Sequence, residues 1–303
     1  MKPLVYALPG QEAFAAALAR ELGAECGDIM LRRFPDGESY VRLLTPPKDR
    51  AVIFVCGLDR PNEKSLELYF AAATARELGA NRIGLVVPYL AYMRQDARFN
   101  PGEAVTSVWF ARWLSQYLDW LVTVDPHLHR HPSLDTIYSI PAAVAGAAPA
   151  ISRWIKSHVA DPLVIGPDAE SAQWAGHVAA GAGCPGVVLG KQRLGDHEVT
   201  ISAPDLAAWR DRTPVLVDDI ISTAQTMITA IARLRAAGMT RPPVCIGVHA
   251  LFAGDAFAAL GAAGVAKIAT CNTIAHASNA IDVVPEIVSA IRKLDNRGDP
   301  GAA

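Results

Sequence analysis

The sequence has few cysteines, and they are not arranged in pairs. The five cysteines lie far apart, at Cys26, Cys56, Cys184, Cys245 and Cys271. An odd, scattered set argues against a disulfide framework and against a C-x-x-C metal or redox motif. We therefore expect free and mostly buried thiols in a reducing compartment.

Long apolar runs and a strong charge of either sign are also missing. No stretch reaches the ~20 apolar residues that span a bilayer, and residues 1–20 lack a signal-peptide core before Pro9 and Gly10. The formal net charge is −2 at pH 7, which favours neither nucleic acid nor an acidic membrane as a partner. These absences predict a cytoplasmic protein that meets any anionic ligand with local positive groups.

A repeated helix–turn–strand pattern is present instead. The chain has 303 residues, 51% of them hydrophobic, which suits one large domain or two ordinary ones. A helical stretch, a turn with glycine and an apolar strand recur at 18–34, 72–89, 232–252 and 257–274. Glycine commonly ends helices in the left-handed conformation, and continuously apolar strands are typical of covered parallel sheets. The alternation predicts an α/β fold with parallel sheets flanked by helices.

The boundary between two halves is expected in a segment rich in small residues, 141–155. We predict one domain at 1–145 and a second at 146–303. For the last ~15–20 residues two alternatives remain, since they either return to the first domain or fray.

Two acids and several hydroxyls directly follow the apolar residues 215–217. They are Asp218, Asp219, Ser222, Thr223 and Thr226. Ligands of parallel α/β sheets bind beyond the carboxyl ends of the strands, and hydroxyls at a helix N-terminus suit a phosphate. The acids suit a metal ion or sugar hydroxyls beside that phosphate, so the pattern favours a sugar phosphate. The alternative is helix capping by Asp219 and Ser222, which explains one acid and not both.

Three further segments each allow a structural and a functional interpretation. Residues 32–38, RRFPDGE, are typical of a surface turn but could also form a ligand-binding loop. Residues 93–105, MRQDARFNPGEAV, form either a solvated loop or a loop whose arginines bind a phosphate through both guanidinium nitrogens. Asp168 ends another apolar run, where capping of the next helix is the alternative to a ligand role.

The histidines and one pair of cations complete the candidates. His127, His129 and His131 are spaced like ligands on one strand face, but prolines break that strand, so a single histidine near a phosphate or metal-bound nucleotide is favoured over zinc. Lys191 and Arg193 would share one face of a strand. There they either are solvated or stabilise charge on a transferred phosphoryl group.

Taken in chain order, these segments resemble the ribose-phosphate pyrophosphokinase family, the phosphoribosyl pyrophosphate synthetases. The most specific matches are FPDGE at 34–38, RQDARFNPGEA at 94–104 and VLVDDIIST at 215–223, and CNTIAHASNAIDV at 271–283 closes the series. The resemblance covers almost the whole chain. It implies two tandem phosphoribosyltransferase-like domains and a magnesium-dependent transfer of the diphosphoryl group of ATP to the 1-hydroxyl of ribose 5-phosphate. It also implies a homodimer or a larger homo-oligomer.

The resemblance further implies a role for each matching residue. The ATP side comprises Phe34, Asp36, Glu38, Arg94, Gln95 and His127. The ribose 5-phosphate side comprises Asp218, Asp219, Ser222, Thr223, Ala224, Gln225 and Thr226. The catalytic cations are Lys191 and Arg193, and the residues near Mg²⁺ are His127 and Asp168.

Two departures from the family pattern leave other functions open. Ala224 and Gln225 stand where the phosphate loop usually has a glycine, and Ala97 stands where a basic residue is usual. These changes leave open a second hypothesis, in which the chain is a non-catalytic regulatory subunit that binds a catalytically active synthetase. A phosphoribosyltransferase shares the acid–hydroxyl loop, but two domains and the FPDGE segment argue against it.

Overall fold

The protein is described from a computed structural model, which covers residues 2–128, 130–168, 171–189, 192–194, 198–200 and 206–297. The side chains of residues 172–173, 192–194, 198–200 and 297 are left out of the description. Two compact units are present. The first consists of Met1–Gly146 with Val284–Ala303, and the second of Ala147–Val283.

The first unit is built on a six-stranded parallel sheet. In chain order its strands are β1 Leu4–Ala7, β2 Glu25–Gly27, β5 Ala51–Val55, β6 Arg82–Val87, β7 Trp120–Val124 and β8 Ala142–Ala145. Their order in space is β2-β1-β5-β6-β7-β8. A separate antiparallel hairpin pairs β3 Ile29–Arg33 with β4 Ser39–Leu43. The helices are α1 Glu12–Leu22, α2 Pro61–Glu77, α3 Thr106–Leu114 and α8 Val284–Arg297.

The second unit repeats this plan. Its strands are β9 Pro162–Gly166, β10 Gly186–Val188, β13 Thr213–Ile221, β14 Val244–Ala250, β15 Lys267–Cys271 and β16 Asn279–Ile281. They form a parallel sheet in the order β10-β9-β13-β14-β15-β16. A hairpin pairs β11 Gln192–Leu194 with β12 Glu198–Thr200. The helices are α4 Ala148–His158, α5 Ala172–Ala182, α6 Gln225–Ala236 and α7 Ala256–Ala262.

Both sheets therefore have one topology. In each unit the second strand lies at the edge beside the first, the remaining strands follow in chain order, and a hairpin stands between the second and third strands. The prediction of an α/β fold with parallel sheets is confirmed. Strands β7 and β14 are buried along their whole length, as expected where helices cover both faces of a sheet.

The glycines predicted to end helices have the expected backbone conformation. Gly23, Gly79, Gly238 and Gly264 all have positive φ, between 64° and 88°. At Gly23 the cap closes fully, because the N–H of Gly23 bonds to Arg20 O and that of Ala24 to Ala19 O. A different constraint acts at Gly84, where an added Cβ would lie 2.0 Å from the ring of Trp120 on the neighbouring strand.

The segment expected to cross between the halves contains regular secondary structure. Residues 141–155 contain the edge strand β8 and most of α4, with the boundary between the units after Gly146. The small side chains of β8 allow α8 to pack closely against it, and α8 also contacts β7 and α1. The final helix thus packs on the first unit, while residues 298–303 lie outside the described residues.

Candidate active site

Strand β13 continues beyond its apolar residues, so both adjacent acids lie within it rather than after it. Its pairing with β9 ends where Leu216 faces Ile165. Its pairing with β14 continues until Ile221 faces Ala250. Main-chain pairing with β14, which is longer than β9, and not side-chain polarity, sets the length of β13. Asp218 and Asp219 therefore stand on a rigid extension that passes the end of β9.

Asp218 lies in an environment that disfavours a negative charge. Burial of the carboxyl, followed by the charges of Asp219 and Asp168, raises the pKa of Asp218 to about 8. Its Oδ1 accepts the N–H of Asp219 at 3.0 Å, and Oδ1 of Asp219 accepts the N–H of Ile220 at 2.7 Å. The three acids come from the ends of adjacent strands of one sheet. Such a concentration of like charge is relieved by a cation or by hydrogen-bond donors.

Asp168 and Ser171 fix the turn before α5. Oδ1 of Asp168 accepts the N–H of Ser171 at 3.0 Å, and Ser171 Oγ donates to the main-chain oxygen of Asp168 at 2.7 Å. Ser171 is the N-cap residue of α5 and makes no side-chain cap hydrogen bond. The N-cap residue of α6 is Ala224, so neither Asp219 nor Ser222 occupies that position.

The loop between β13 and α6 takes a glycine-like conformation without a glycine. Ala224 has φ 60° and ψ 3°, the left-handed region, and directly precedes the helix. This conformation costs a residue with a Cβ about 1–2 kcal/mol. Its methyl group is buried in an apolar cluster that includes Ile221 and Met227, so packing offsets part of the cost. Gln225 begins α6 and donates from Nε2 to Thr229 Oγ1 at 3.3 Å.

The helix N-terminus beside this loop is suited to an anion. The first N–H groups of any α-helix have no intrahelical acceptor and lie at the positive end of the helix dipole. Thr223, Gln225 and Thr226 are exposed there, and Ser222 is partly buried. Backbone donors and hydroxyls are thus presented together at the end of β13.

The segment FPDGE forms the loop of the β3–β4 hairpin. The N–H of Phe34 bonds to Glu38 O, and that of Gly37, at φ 94°, bonds to Phe34 O. Asp36 Oδ1 accepts the N–H of Glu38 at 3.2 Å. The Phe34 side chain remains 39% exposed, and the guanidinium carbon of Arg32 lies 4.5 Å from its ring centroid. The loop therefore presents an aromatic ring to ligands while its own backbone is held.

The segment RQDARFNPGEA forms a long loop between β6 and α3 that two acids hold together. Asp96 is buried and pairs with Arg130 at 2.8 Å. Burial alone would raise the pKa of Asp96, but the hydrogen bond and charge of Arg130 outweigh it, and the pKa lies below its usual range. The carboxylate of Glu103 accepts the N–H groups of Phe99 and Asn100. Arg94 is exposed in this loop.

The predicted metal and catalytic residues are only partly described. His127 is partly buried after β7, and His131 Nε2 lies 3.1 Å from Ser107 Oγ. In the part of the chain with described side chains, no group of three or more His, Cys, Asp or Glu is placed to hold a metal ion. Lys191 lies outside the described residues. Arg193 faces Val199 across the β11–β12 hairpin, and only its backbone is described.

Sequence reasoning missed a segment that contacts the start of the loop between β13 and α6. In the connection between β14 and α7, the N–H of Phe252 donates to Ile221 O at 2.9 Å and that of Ala253 donates to Ser222 O at 3.0 Å. These are main-chain bonds, so no side chain of the connection takes part in them. The only local signal was Gly254, which marks a turn after an apolar strand.

Comparisons with known proteins agree with this geometry. Residues 4–117 match the family model described as the N-terminal domain of ribose phosphate pyrophosphokinase, and residues 133–283 match that of the phosphoribosyl transferase domain. The ribose-phosphate pyrophosphokinase of Methanopyrus kandleri is 36% identical over 281 residues, covering 91% of this chain and 94% of that relative. The one from Sulfolobus acidocaldarius is 34% identical over 266 residues, covering 86% and 89%.

A solved structure supports the fold. The crystal structure of phosphoribosylpyrophosphate synthetase from Mycobacterium smegmatis superimposes with a TM-score of 0.82 at 22% identity, covering 98% of this chain and 100% of that one. At this identity the likeness concerns the fold alone. The two family models and the close relatives carry the assignment, and both agree with the two tandem domains described above. The chain belongs to the ribose-phosphate pyrophosphokinase family.

Proposed function

We propose that the second unit holds ribose 5-phosphate at Asp218, Asp219 and residues 222–226, in an enzyme that uses ATP as the diphosphoryl donor. In this reaction the oxygen of the sugar 1-hydroxyl forms a bond to the β-phosphorus of ATP. The bond from that phosphorus to the oxygen bridging the α- and β-phosphates breaks. AMP leaves, and 5-phosphoribosyl 1-diphosphate is formed.

One observation carries this assignment. A strand extension with two adjacent acids, one with its pKa raised to about 8, leads directly into an anion-suited helix N-terminus. The acids accept hydrogen bonds from sugar hydroxyls. The loop and the helix N-terminus bind the 5-phosphate through backbone N–H groups and the hydroxyls of Ser222, Thr223 and Thr226. A base or a neutral sugar would leave one half of this arrangement unused.

The acids also fit Mg²⁺, which prefers hard oxygen ligands. This ion usually binds one or two carboxylates, several waters and the phosphates of the substrate, rather than an all-protein cage. Burial, followed by repulsion from Asp219 and Asp168, raises the pKa of Asp218, and a divalent cation would relieve that repulsion. We assign Asp168 to this ion, and His127 to an ion bound with the ATP phosphates.

The first unit supplies the ATP-binding residues in this proposal. Phe34 stacks on adenine, and Asp36 and Glu38 accept from its exocyclic amine or orient neighbouring groups. Arg94 and Gln95 contact the ribose and phosphates of ATP. The exposure of Phe34 and Arg94 supports these roles, since each lies on a loop whose backbone is already held by internal hydrogen bonds.

Lys191 and Arg193 are assigned to the β-phosphorus, where charge develops during the in-line attack. Preorganised cations at such a position stabilise the transition state more than the bound substrate. Residues two apart share one face of an extended strand, and this spacing is the reason for assigning the two cations together.

The conformation of Ala224 favours the enzyme over a regulatory subunit. The loop reaches the left-handed conformation that a glycine would permit, so the substitution of glycine has not removed the shape of the loop. We also infer a cytoplasmic homodimer or larger homo-oligomer, in keeping with substrates that are cytoplasmic metabolites. None of the helices that the structure describes combines the length and hydropathy of a membrane span.

A coupled assay of AMP release tests the proposed function. AMP should form only when ATP, Mg²⁺ and ribose 5-phosphate are all present. Asp218→Asn with Asp219→Asn should abolish both this activity and calorimetric binding of ribose 5-phosphate, while ATP binding persists. A regulatory subunit would form no AMP, and a phosphoribosyltransferase would instead consume 5-phosphoribosyl 1-diphosphate in the presence of a base.

A further inference from the structure

The connection between β14 and α7 fixes the start of the phosphate loop. The N–H of Phe252 donates to Ile221 O at 2.9 Å, and the N–H of Ala253 donates to Ser222 O at 3.0 Å. These two bonds continue the β13–β14 pairing past Ile221 and Ala250, where the strands end. The residues that precede Thr223 and Ala224 are therefore held by a neighbouring segment and not by their own helix.

Phe252 makes these bonds from a strained backbone conformation. Its φ is 35°, a value that residues with a side chain rarely adopt, and its residue type offers no relief of the strain. A conformation of this kind costs of order 1–3 kcal/mol and persists only where surrounding contacts over-determine it. The phosphate loop has its own positive-φ residue without glycine, Ala224. One residue with positive φ, Phe252, therefore donates to the loop, and the other, Ala224, lies two residues after Ser222, which accepts from Ala253.

The side chain of Phe252 provides the contacts that hold the strain. Its ring meets Phe257 at 5.1 Å edge-on and His276 at 4.7 Å, and the latter two rings lie 4.8 Å apart. His276 is itself fixed, because its N–H donates to Asn279 Oδ1 and its Nδ1 accepts the N–H of Ser278. Three rings from three different segments thus lock the position of Phe252.

The same ring packs against the apolar cluster that contains Ala224. Phe252 thus contacts the loop through its backbone N–H and, through its ring, the cluster into which Ala224 of that loop packs. A shift of its ring would move the N–H donors that hold Ile221 O and Ser222 O.

We propose that Phe252, held by Phe257 and His276, is a positioning residue that sets residues 222–224 for capture of the sugar phosphate. This inference rests on the proposed function, and it adds to that function a residue that does not touch the ligand. It also gives a role to the segment 271–283, whose His276 supports Phe252 from the end of β15.

Phe252→Ala tests the proposal, because it keeps the backbone N–H and removes the ring. The KM and the calorimetric Kd for ribose 5-phosphate should rise about tenfold, equivalent to about 1.4 kcal/mol. The KM for ATP and the kcat at saturation should stay within about twofold. Phe252→Tyr keeps the ring and should restore ribose 5-phosphate affinity, whereas Phe252→Leu fills much of the volume without a ring and should not restore it.

Trp209→Ala is the matched control. Trp209 also packs on the apolar cluster, but its recorded backbone bonds are to Leu206 and from Arg212. Its loss should lower Tm without changing the KM for ribose 5-phosphate. If Phe252→Ala does not fold, Phe257→Ala replaces it, since this variant removes ring support alone and should raise the same KM about threefold, or roughly 0.7 kcal/mol.

The results separate failure of this inference from failure of the proposed function. A wild-type chain that forms AMP, with Phe252 and Phe257 variants whose ribose 5-phosphate Kd stays within twofold, overturns the inference alone. Equal rises in the KM for both substrates would do the same. If the wild type neither forms AMP nor binds ribose 5-phosphate, the proposed function fails. Titration with inorganic phosphate then decides, because weaker phosphate binding by the variants supports the positioning role, and equal or absent binding overturns it.

Discussion

The two units share one topology, but the loops after their third strands differ in what they leave unsatisfied. In the first unit this loop, residues 56–60, is closed by an ion pair between Lys64 and Asp59, and Lys64 Nζ also donates to Gly57 O at 2.8 Å. In the second unit the end of the third strand holds Asp218, whose pKa is raised to about 8, and the loop after it leads into a helix whose N-cap residue, Ala224, makes no side-chain cap hydrogen bond. The first loop has internal partners for its charges. The second concentrates like charge that a ligand or cation would relieve.

This difference shows that the fold fixes a place for a site, and the side chains decide whether a site exists there. Because the two sheets have the same topology, each loop lies at the equivalent edge of its own sheet. The ligand is then selected by local chemistry. The two hairpins differ in the same way. Each lies between the second and third strands of its sheet, but the loop of β3–β4 contains Phe34 whereas β11 of the other hairpin contains Arg193.

The largest expected effect separates the two hairpins by their kinetic role. Arg193→Ala should lower kcat by about 10²–10³ with little change in either KM, because a lost preorganised charge at the transition state has this cost. Lys191→Ala should behave alike. Gln192→Ala, at the uncharged position between them in the sequence, is the control. A raised KM with an intact kcat would show that these cations bind the ground state.

The hairpin of the first unit should affect binding and not rate. Phe34→Ala should raise the KM for ATP about tenfold, because stacking of a base on an aromatic ring contributes ~1–3 kcal/mol. The KM for ribose 5-phosphate should not change. Met30→Ala removes another exposed apolar side chain of this hairpin, 42% exposed, and should leave both constants unchanged. Equal weakening of both substrates by Phe34→Ala would make Phe34 a structural residue.

A smaller effect concerns the pH dependence that only the second loop should confer. With its pKa at about 8 in the folded chain and at its ordinary value near 3.9 when unfolded, Asp218 holds a proton more readily in the folded state. Stability should therefore fall as pH rises between these values and level off above the folded pKa. Because Asp218 is partly exposed, we expect a Tm loss of only about 2–4 °C between about pH 6 and about pH 9.

Thermal unfolding across this pH range checks the expectation. In Asp218→Asn the loss should disappear, while Asp59→Asn in the corresponding loop of the first unit should retain it. A wild-type profile that matches that of Asp218→Asn would show that the pKa of Asp218 is not raised.

The smallest effect concerns the missing glycine. The loop has a positive φ at Ala224, and we expect Ala224→Gly to relieve this strain equally in free and bound protein. The KM for ribose 5-phosphate should then change less than threefold. Relief of about 1–2 kcal/mol, set against ~0.8 kcal/mol for the lost buried methyl group, should leave stability unchanged or slightly higher.

A matched substitution at the next position should have the opposite effect. Gln225→Gly, at an ordinary helical position, should lower stability by about 1 kcal/mol. Chemical denaturation of the two variants measures both changes. A large fall in the KM for ribose 5-phosphate with Ala224→Gly would show that the loop takes its left-handed conformation only when ligand binds.

The sequence by itself determined the α/β class, the helix ends and the candidate residues. Apolar continuity along strands and glycine after helices are local properties, and Gly23, Gly79, Gly238 and Gly264 have the backbone conformation they predicted. The ordered motifs pointed to the family because each retains residue types that its chemistry requires. None of these inferences needed knowledge of which strands lie side by side.

Only the tertiary structure decided the length of β13, the raised pKa of Asp218 and the main-chain bonds from Phe252 and Ala253 to Ile221 and Ser222. Each depends on partners distant in the chain: β14 extends the strand, Asp168 adds to the charge that raises the pKa of Asp218, and main-chain N–H groups of residues 252–253 hold Ile221 and Ser222. Main-chain hydrogen bonds leave no residue-type signature, and a pKa depends on the charge and burial that neighbouring strands create. The sequence alone shows two acids and an alanine. The fold places the acids near the end of a strand and gives the alanine in the following loop a strained backbone conformation.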